Sequence, residues 1–275
     1  IILAFALIAK KKNMNFKIIA AAAAFCVSQS FAIIGLGFHY APNFGTELKS
    51  TTEKEVLSLD SEAGNLGNVK YAHGSFSDMQ GFGLKLWIDI LPIIDVEATY
   101  NIQFGSYDAA LSMYGPDGAL IKKQKIELEF DGVPFGKASP KFVSMNGDLS
   151  ITYPITFLPV IRPYIGGGVT YYLSTPVLSD SFVGKFMEST GKVLLNPENL
   201  TPEEAKQLAN DLSDALTDEG LSTGIGGHIL VGMRAKLPII PIAAYANYKY
   251  YFGGEFDDEI EFGRHAVEVG VGFAL

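Results

Sequence analysis

Two histidines, His39 and His228, are the residues whose chemistry could make this chain an enzyme. Ser174 and Ser222 lie near them in the predicted layout, at the roots of long connections, and a hydroxyl activated by an imidazole is a common nucleophile. Such a pair would suggest a hydrolase or acyltransferase that modifies lipid A or phospholipid. No triad motif surrounds either histidine, so two hydrogen-bonded structural histidines are the favoured interpretation. A non-enzymatic protein without a cofactor is predicted.

An acidic run near the C-terminus is the only candidate for metal binding. Carboxylate oxygens suit Ca²⁺ or Mg²⁺, and Asp257, Asp258 and Glu259 are the closest candidates. The spacing is not that of a known calcium loop, and a solvated acidic loop is the favoured interpretation. The full run comprises Glu255, Asp257, Asp258, Glu259 and Glu261.

A third group of candidate functional residues consists of charged side chains. They lie on the polar face of segments in which apolar and polar residues alternate. Their signs nearly balance, which favours a network of ion pairs inside a closed barrel over an open pore. A narrow channel remains the alternative. The predicted network comprises Lys85, Asp89, Asp95, Glu97, Asp148, Arg162, Arg234, Lys236, Lys249, Arg264 and Glu268.

The elements that must position these charges are strands. Apolar and polar residues alternate in about eight segments, each long enough to cross a bilayer when tilted. The alternation is cleanest in residues 268–275, where the chain ends on a large apolar residue. We therefore predict an all-β, eight-stranded antiparallel transmembrane barrel with strands at 33–41, 81–90, 94–105, 142–157, 161–173, 224–237, 242–252 and 262–275.

The connections between these segments are of two kinds. Short proline-containing turns at 91–93, 158–160 and 238–241 alternate with connections at 42–80, 106–141, 174–223 and 253–261, three of them long. Barrels of the bacterial outer membrane have short periplasmic turns and long extracellular loops. Within the third long connection, Thr201 and Glu204 form a capping box before an apolar stripe. This predicts a helix of about four turns that ends near Gly220.

The N-terminal region resembles an export signal. The short basic start at Met14 leads into an apolar stretch and a small-x-small site at Ser30 and Ala32, which predicts a secretory signal peptide over 14–32 and a mature barrel over 33–275. Residues 1–13 are interpreted as an upstream or non-native extension. The single cysteine, Cys26, lies in the predicted signal, so the mature chain would have no thiol chemistry.

Charge excludes nucleic acid as a partner. The formal net charge is −9, and removal of residues 1–32 deletes four lysines and no acid, which makes it −13. A surface this acidic repels phosphate backbones.

The segment from Arg162 to Tyr172, with the pattern P-Y-x-G-x-G-x-x-Y after a short turn, resembles the OmpA-type and OmpW-like group of small outer-membrane barrels. The terminal strand resembles that group's signal for the barrel-assembly machinery, with leucine in place of the usual phenylalanine. The resemblance implies a monomeric porin-like protein of the Gram-negative cell envelope, surrounded by outer-membrane lipid and lipopolysaccharide. Membrane integrity, surface interaction or binding of a small hydrophobic ligand is the expected function.

Overall fold

Among the residues that the structure describes, alternating side chains form fourteen strands, and one helix has described bounds. The computed structural model describes residues 34–61, 64–89, 93–126, 139–155, 160–190, 211, 215, 222–236, 240–254 and 260–274. No helix among these residues has the length and apolar character needed to span a membrane. In chain order the elements are β1 (Ile34–Tyr40), β2 (Asn43–Leu48), β3 (Lys54–Ser61), β4 (Gly64–His73), β5 (Phe76–Ile88), β6 (Asp95–Ser106), β7 (Ala109–Tyr114), β8 (Leu120–Lys125), β9 (Lys141–Pro154), β10 (Ile161–Ser174), α1 (Asp180–Thr190), β11 (Ser222–Lys236), β12 (Ile242–Phe252), β13 (Ile260–Glu261) and β14 (His265–Ala274).

Eight of the strands close into an antiparallel barrel. The order around the barrel is β1-β14-β12-β11-β10-β9-β6-β5, and β5 pairs again with β1. The first and last barrel strands pair in register, with Gly35 opposite Ala274 and Tyr40 opposite Val269. Closure provides hydrogen-bond partners for the backbone N–H and C=O groups that an open sheet would leave unpaired at its edges. The predicted fold class is confirmed, and each predicted strand overlaps an observed one.

The barrel has two different ends. Short connections join β5 to β6, β9 to β10 and β11 to β12 at the turn end, and the longer connections lie at the loop end. Trp87 fills the lumen near the turn end because two neighbouring strands carry glycine there. A Cβ atom on Gly35 would lie 2.0 Å from the indole, and one on Gly272 would lie 2.8 Å from it. Only glycine allows this close approach.

The two longest early connections form more structure than predicted. The sequence pattern predicts connections without strands over residues 42–80 and 106–141, yet these residues contain β2, β3, β4, β7 and β8. The four strands β3-β4-β7-β8 form a second sheet, while β2 and the short β13 extend the barrel sheet. The prediction failed because these strands bury only part of one face. In β8, for example, all six residues are exposed.

Helix α1 packs against β3 and was also not predicted. Ser179 caps its first turn, since its hydroxyl accepts the backbone N–H of Phe182 at 3.0 Å. Phe182 and Phe186 then recur at helical spacing and are buried. The helix predicted before Gly220 lies largely outside the described residues. Asp211 and Ala215 are helical where they are described.

We call the sheet β3-β4-β7-β8 together with α1 the cap. Its hydrophobic core is continuous with the loop end of the barrel, because residues of both pack together. The cap also has polar ties: Tyr71 donates to the carbonyl of Leu178 at 2.5 Å, and the Leu178 N–H donates to the Tyr107 hydroxyl at 3.0 Å. The buried core residues include Leu48, Val69, Tyr71, Phe76, Met79, Tyr107, Phe142, Phe182, Phe186 and Met187.

Candidate functional site: the ion-paired lumen

Polar side chains fill the inside of the barrel. They occupy alternate positions of each strand, and the intervening side chains point outward and are exposed. Most of these inward residues have less than a twentieth of their surface exposed. Buried charges are tolerated only when paired and hydrogen-bonded. The partners of these buried charges therefore decide whether side chains fill the lumen stably or leave a path through it.

At the turn end, Arg234 on β11 is the centre of a cluster of charges. Its guanidinium lies 3.0 Å from Asp89, 3.7 Å from Asp95 and 2.6 Å from Glu97. Arg162 approaches Asp89 from the neighbouring strand at 3.2 Å. A guanidinium presents several donors in a fixed plane, so one arginine can hold three carboxylates that a lysine could not orient.

Lys85 completes this turn-end cluster. Its ammonium lies 2.6 Å from Glu97 and donates to the Tyr164 hydroxyl at 3.0 Å. The aromatic rings supply further contacts, since the Arg234 guanidinium lies 4.7 Å from the centre of the Trp87 ring. Cations near aromatic faces gain electrostatic stabilisation that grows where water is excluded.

A second cluster lies nearer the loop end. Lys249 on β12 bridges Asp148 and Glu268, with its ammonium 2.6 Å from a carboxylate oxygen of each. Glu268 also accepts hydrogen bonds from Asn101 at 3.2 Å and from Asn247 at 2.8 Å. We call Asp148, Lys249 and Glu268 the central cluster. All three are buried.

The two clusters are joined by neutral residues. The Tyr164 hydroxyl accepts from Lys85 and donates to the side-chain oxygen of Asn247, whose amide in turn donates to Glu268. Polar contacts therefore run without a break from Asp89 near the turn end to Asp148. Above Asp148, the Tyr251 hydroxyl donates to its carboxylate at 2.9 Å. Such a chain leaves little room for an aqueous path.

The structure brings together nine of the eleven predicted network residues. Lys236 is half-buried at the end of β11. The prediction is wrong for Arg264. It precedes β14 rather than lying within it, so strand alternation does not apply, and its exposed side chain donates to the Tyr250 hydroxyl at 3.4 Å on the outside of the barrel.

The two histidines lie in the lumen, apart from the serines named with them. His39 contacts the Tyr245 hydroxyl at 2.9 Å and the Asn101 amide oxygen at 2.6 Å. Ser174 and Ser222 face each other across β10 and β11, where their Cα atoms are in register. The proposed pairing of these serines with a histidine is therefore not formed.

His228 does contact a serine that sequence reasoning missed. Its Nε2 lies 2.8 Å from the Ser150 hydroxyl, and its Nδ1 lies 2.8 Å from the Thr170 hydroxyl. The register of β9, β10 and β11 brings the two side chains together, because Gly168 lies opposite both Ser150 and His228. A hydrolase triad orients the imidazole with a carboxylate, whereas here a threonine occupies that place. All three side chains are about 1% exposed, so a substrate cannot reach them.

The candidate metal ligands Asp257, Asp258 and Glu259 lie outside the described residues, as does Glu255. Glu261, the last acid of the same run, is exposed and lies 3.5 Å from the Lys49 ammonium. This contact is an ordinary surface ion pair.

No protein-family model and no curated protein matches the chain. Among solved structures, it is similar to the outer membrane protein OprG from Pseudomonas aeruginosa, with 11% identity and a TM-score of 0.37 over 87% of this chain and 94% of that one. It is similar to Neisserial surface protein A, with 12% identity and a TM-score of 0.39 over 88% and 97%. A third similar structure is Ail of Yersinia pestis, in complex with the heparin analogue sucrose octasulfate, with 10% identity and a TM-score of 0.37 over 87% and 96%. The assignment of the barrel itself rests on the strand order and register described above.

Proposed function

We propose that this protein is a non-enzymatic outer-membrane barrel of the OmpA-type and OmpW-like group, and that its cap presents an interaction surface outside the cell. The observation that carries the proposal is the inversion of polarity across the barrel wall. Charged side chains pair inside, and apolar side chains are exposed outside. A soluble barrel would have the opposite arrangement.

The apolar outer wall is continuous around the barrel. Soluble monomers rarely expose a contiguous apolar patch larger than a few hundred Å². Here each barrel strand contributes outward aliphatic or aromatic side chains, and the strands have seven to fifteen residues, most of them enough for a tilted crossing. The exposed members include Ile34, Leu36, Phe38, Leu84, Leu86, Tyr100, Leu149, Ile151, Ile165, Val169, Ile229, Val231, Met233, Ala244, Val269, Val271 and Phe273.

The filled lumen supports a role other than free diffusion. Eight-stranded barrels have interiors just wide enough for side chains. The turn-end cluster and the central cluster occupy that space with ion pairs of 2.6 Å. An ion crossing the barrel would have to break these pairs.

The cap supports surface interaction over carriage of a hydrophobic ligand. Its core is filled by its own side chains, because Phe182, Val183, Phe186 and Met187 of α1 are all buried against the sheet. The opposite edge of the sheet, β8, presents Lys122, Lys123 and Lys125 to solvent among exposed residues. A folded platform with an exposed edge suits contact with another molecule.

The remaining parts of the proposal concern biogenesis and surroundings. The signal peptide over 14–32 would direct export, and the terminal strand would be recognised by the barrel-assembly machinery before insertion as a monomer. Outer-membrane lipid and lipopolysaccharide would surround the apolar wall. Their acyl chains match the aliphatic residues of the middle of the barrel.

Cysteine accessibility tests this orientation. Ile121→Cys lies on the exposed edge of the cap, and Ile240→Cys lies at the turn end, and these side chains are 54% and 48% exposed. A polyethylene-glycol maleimide too large for porins should label the first variant on intact cells. It should label the second only after the outer membrane is permeabilised.

The matched pair makes the result decisive. Both variants carry one comparably exposed thiol, and the only other cysteine, Cys26, lies in the predicted signal peptide. Labelling of Ile240→Cys alone on intact cells would place the cap in the periplasm. Equal labelling of both on intact cells would show that the barrel does not separate two compartments.

A further inference from the structure

A cationic and aromatic surface lies on the outer wall of the barrel at the loop end. It is formed by Tyr248 and Tyr250 of β12, by Arg264 just before β14 and by His265, the first residue of β14. We call it the loop-end patch. The two strands pair here, with Tyr250 opposite His265. Arg264 and His265 are both exposed.

The four side chains are held together by direct contacts. The Tyr248 hydroxyl lies 2.6 Å from Nδ1 of His265, and the Arg264 guanidinium donates to the Tyr250 hydroxyl at 3.4 Å. The His265 ring meets the Tyr250 ring edge to face, with their centres 5.3 Å apart. Tyr248 donates its proton to Nδ1 when the neutral ring carries its own on Nε2. The Nε2–H and most of the guanidinium donors then point away from these partners.

The patch lies where the apolar wall ends. Below it on β12 are Ile242, Ala244 and Ala246, and below it on β14 are Val267 and Val269. β12 has eleven residues. Such a strand, tilted by about 40°, rises roughly 28 Å, close to the ~25 Å height of the apolar band in outer-membrane barrels. Residues 250 and 265 therefore lie at the level of lipid headgroups.

Among the described residues, Arg264 is the permanent positive charge of the patch, and the acid nearest to it along the chain has a cationic partner. Glu261, the described acid closest to Arg264 along the chain, lies 3.5 Å from Lys49. The described side-chain contact of Arg264 is with the Tyr250 hydroxyl, at a distance typical of a weak hydrogen bond. A guanidinium in this position can form bidentate hydrogen bonds to a tetrahedral anion.

We propose that the loop-end patch binds the phosphate of a phosphorylated glycolipid in the outer leaflet, with the acyl chains of that lipid lying along the apolar wall below. Arg264 binds the phosphate oxygens, the Nε2–H of His265 donates a second hydrogen bond, and the two tyrosine rings contact the sugar. The inference rests on the proposed function, because it requires a membrane around the barrel. It names a lipid class and a site for the lipid contact.

Binding is measured by native mass spectrometry of the whole purified protein in detergent, with two probes. One is lipid A carrying both phosphates, and the other is the same lipid A after enzymatic removal of its phosphates. The wild-type protein should retain the phosphorylated lipid about tenfold more strongly than the dephosphorylated one, as charge-assisted contacts to an anion imply. Arg264→Gln should remove most of that preference.

Two variants calibrate the result. Lys141→Gln removes another exposed cation at the loop end, on β9, away from the patch, and should leave the preference within about twofold of wild type. Arg264→Lys keeps the charge but not the bidentate geometry and should retain part of the preference. If Arg264→Gln fails to fold, the comparison of Arg264→Lys with Lys141→Gln still tests the site.

The outcomes separate this inference from the proposed function. Equal retention of the two lipids by the wild type, or an equal loss in Lys141→Gln, would overturn the site. Displacement of the lipid by an equal concentration of inorganic phosphate would show that the anion alone is recognised, which also contradicts a lipid site. Failure of wild-type protein to insert into vesicles would instead contradict the proposed membrane barrel.

Discussion

At the scale of single residues, the stability of the lumen depends on which buried charge has which partner. Lys249 bridges two carboxylates, and Glu268 accepts from two amides in addition to that lysine. Removing one member of a buried pair leaves the other without compensation. The loss of stability on removing one member is larger than any stability that the intact pair adds over apolar residues of the same volume.

Glu268→Ala should therefore destabilise the barrel strongly. The change leaves Lys249 with Asp148 alone and deprives Asn101 and Asn247 of an acceptor. We expect a loss of about 3–5 kcal/mol in the free energy of unfolding. Urea titration in vesicles, followed by the loss of heat-resistant mobility on a gel, measures it.

Glu261→Ala is the matched control, because Glu261 forms an exposed ion pair with Lys49 at 3.5 Å. That change should cost at most about 1 kcal/mol. Equal unfolding midpoints for Glu268→Ala and wild type would show that the central cluster contributes nothing to stability.

At the scale of elements, the cap sheet is tied by Glu53, just before β3. Its carboxylate accepts from the Tyr114 hydroxyl at 2.5 Å, from Ser112 at 2.8 Å and from Lys123 at 3.2 Å. The hydrogen bond from Tyr114 is the largest cause that lowers the pKa of Glu53 from 4.5 to about 2, followed by those from Ser112 and Lys123. The same contact raises the pKa of Tyr114.

The cap should therefore loosen in acid. Because the folded-state pKa of Glu53 is lowered, its stabilisation is complete above about 4.5 and is lost as the pH falls through about 2. The rate of pepsin cleavage within the cap should rise over this interval in the wild type. Glu53→Gln should flatten the profile, with faster cleavage already at pH values near 4.5.

Tyr114→Phe serves as the comparison for this profile. It removes one of the three hydrogen bonds and should give a pH dependence between those of wild type and Glu53→Gln. Superimposable profiles for wild type and Glu53→Gln would show that Glu53 does not stabilise the cap.

At the scale of the whole molecule, the barrel and the cap are stabilised by different forces. The barrel depends on closed backbone pairing and buried ion pairs, and the cap on a hydrophobic core that includes α1. The core reaches the loop end of the barrel through Phe76 and Phe142. Even so, the closed ladder of the barrel does not require α1.

Phe182→Ala should therefore open the cap without unfolding the barrel. Loss of a buried phenylalanine costs about 3–5 kcal/mol, because it removes apolar contacts and leaves a cavity. Limited proteolysis should cut the cap of this variant much faster than that of wild type, while the heat-resistant mobility of the barrel persists. Lys185→Ala, an exposed change on the same helix, should resemble wild type. Joint loss of protease resistance and heat resistance would show one cooperative unit.

The sequence by itself determined the barrel and the inward face of most strands. A two-residue period fixes which side chains share a face of a strand. The period is clear in this sequence because apolar residues face outward and charged residues face inward. The lumen positions of Lys85, Arg234 and Glu268 follow from it. Arg264 was misplaced, because it lies just outside the regular strand.

Only the tertiary structure decided which lumen side chains contact each other and how the cap is formed. Ser150 reaches His228 through the register of three strands, which alternation within one strand cannot specify. The cap sheet pairs β4 with β7, two segments separated along the chain by two barrel strands. Burial alternates in the second half of β4, but β8 is exposed throughout and shows no period. Contacts between distant segments depend on chain closure and packing, so local pattern carried no signal for them.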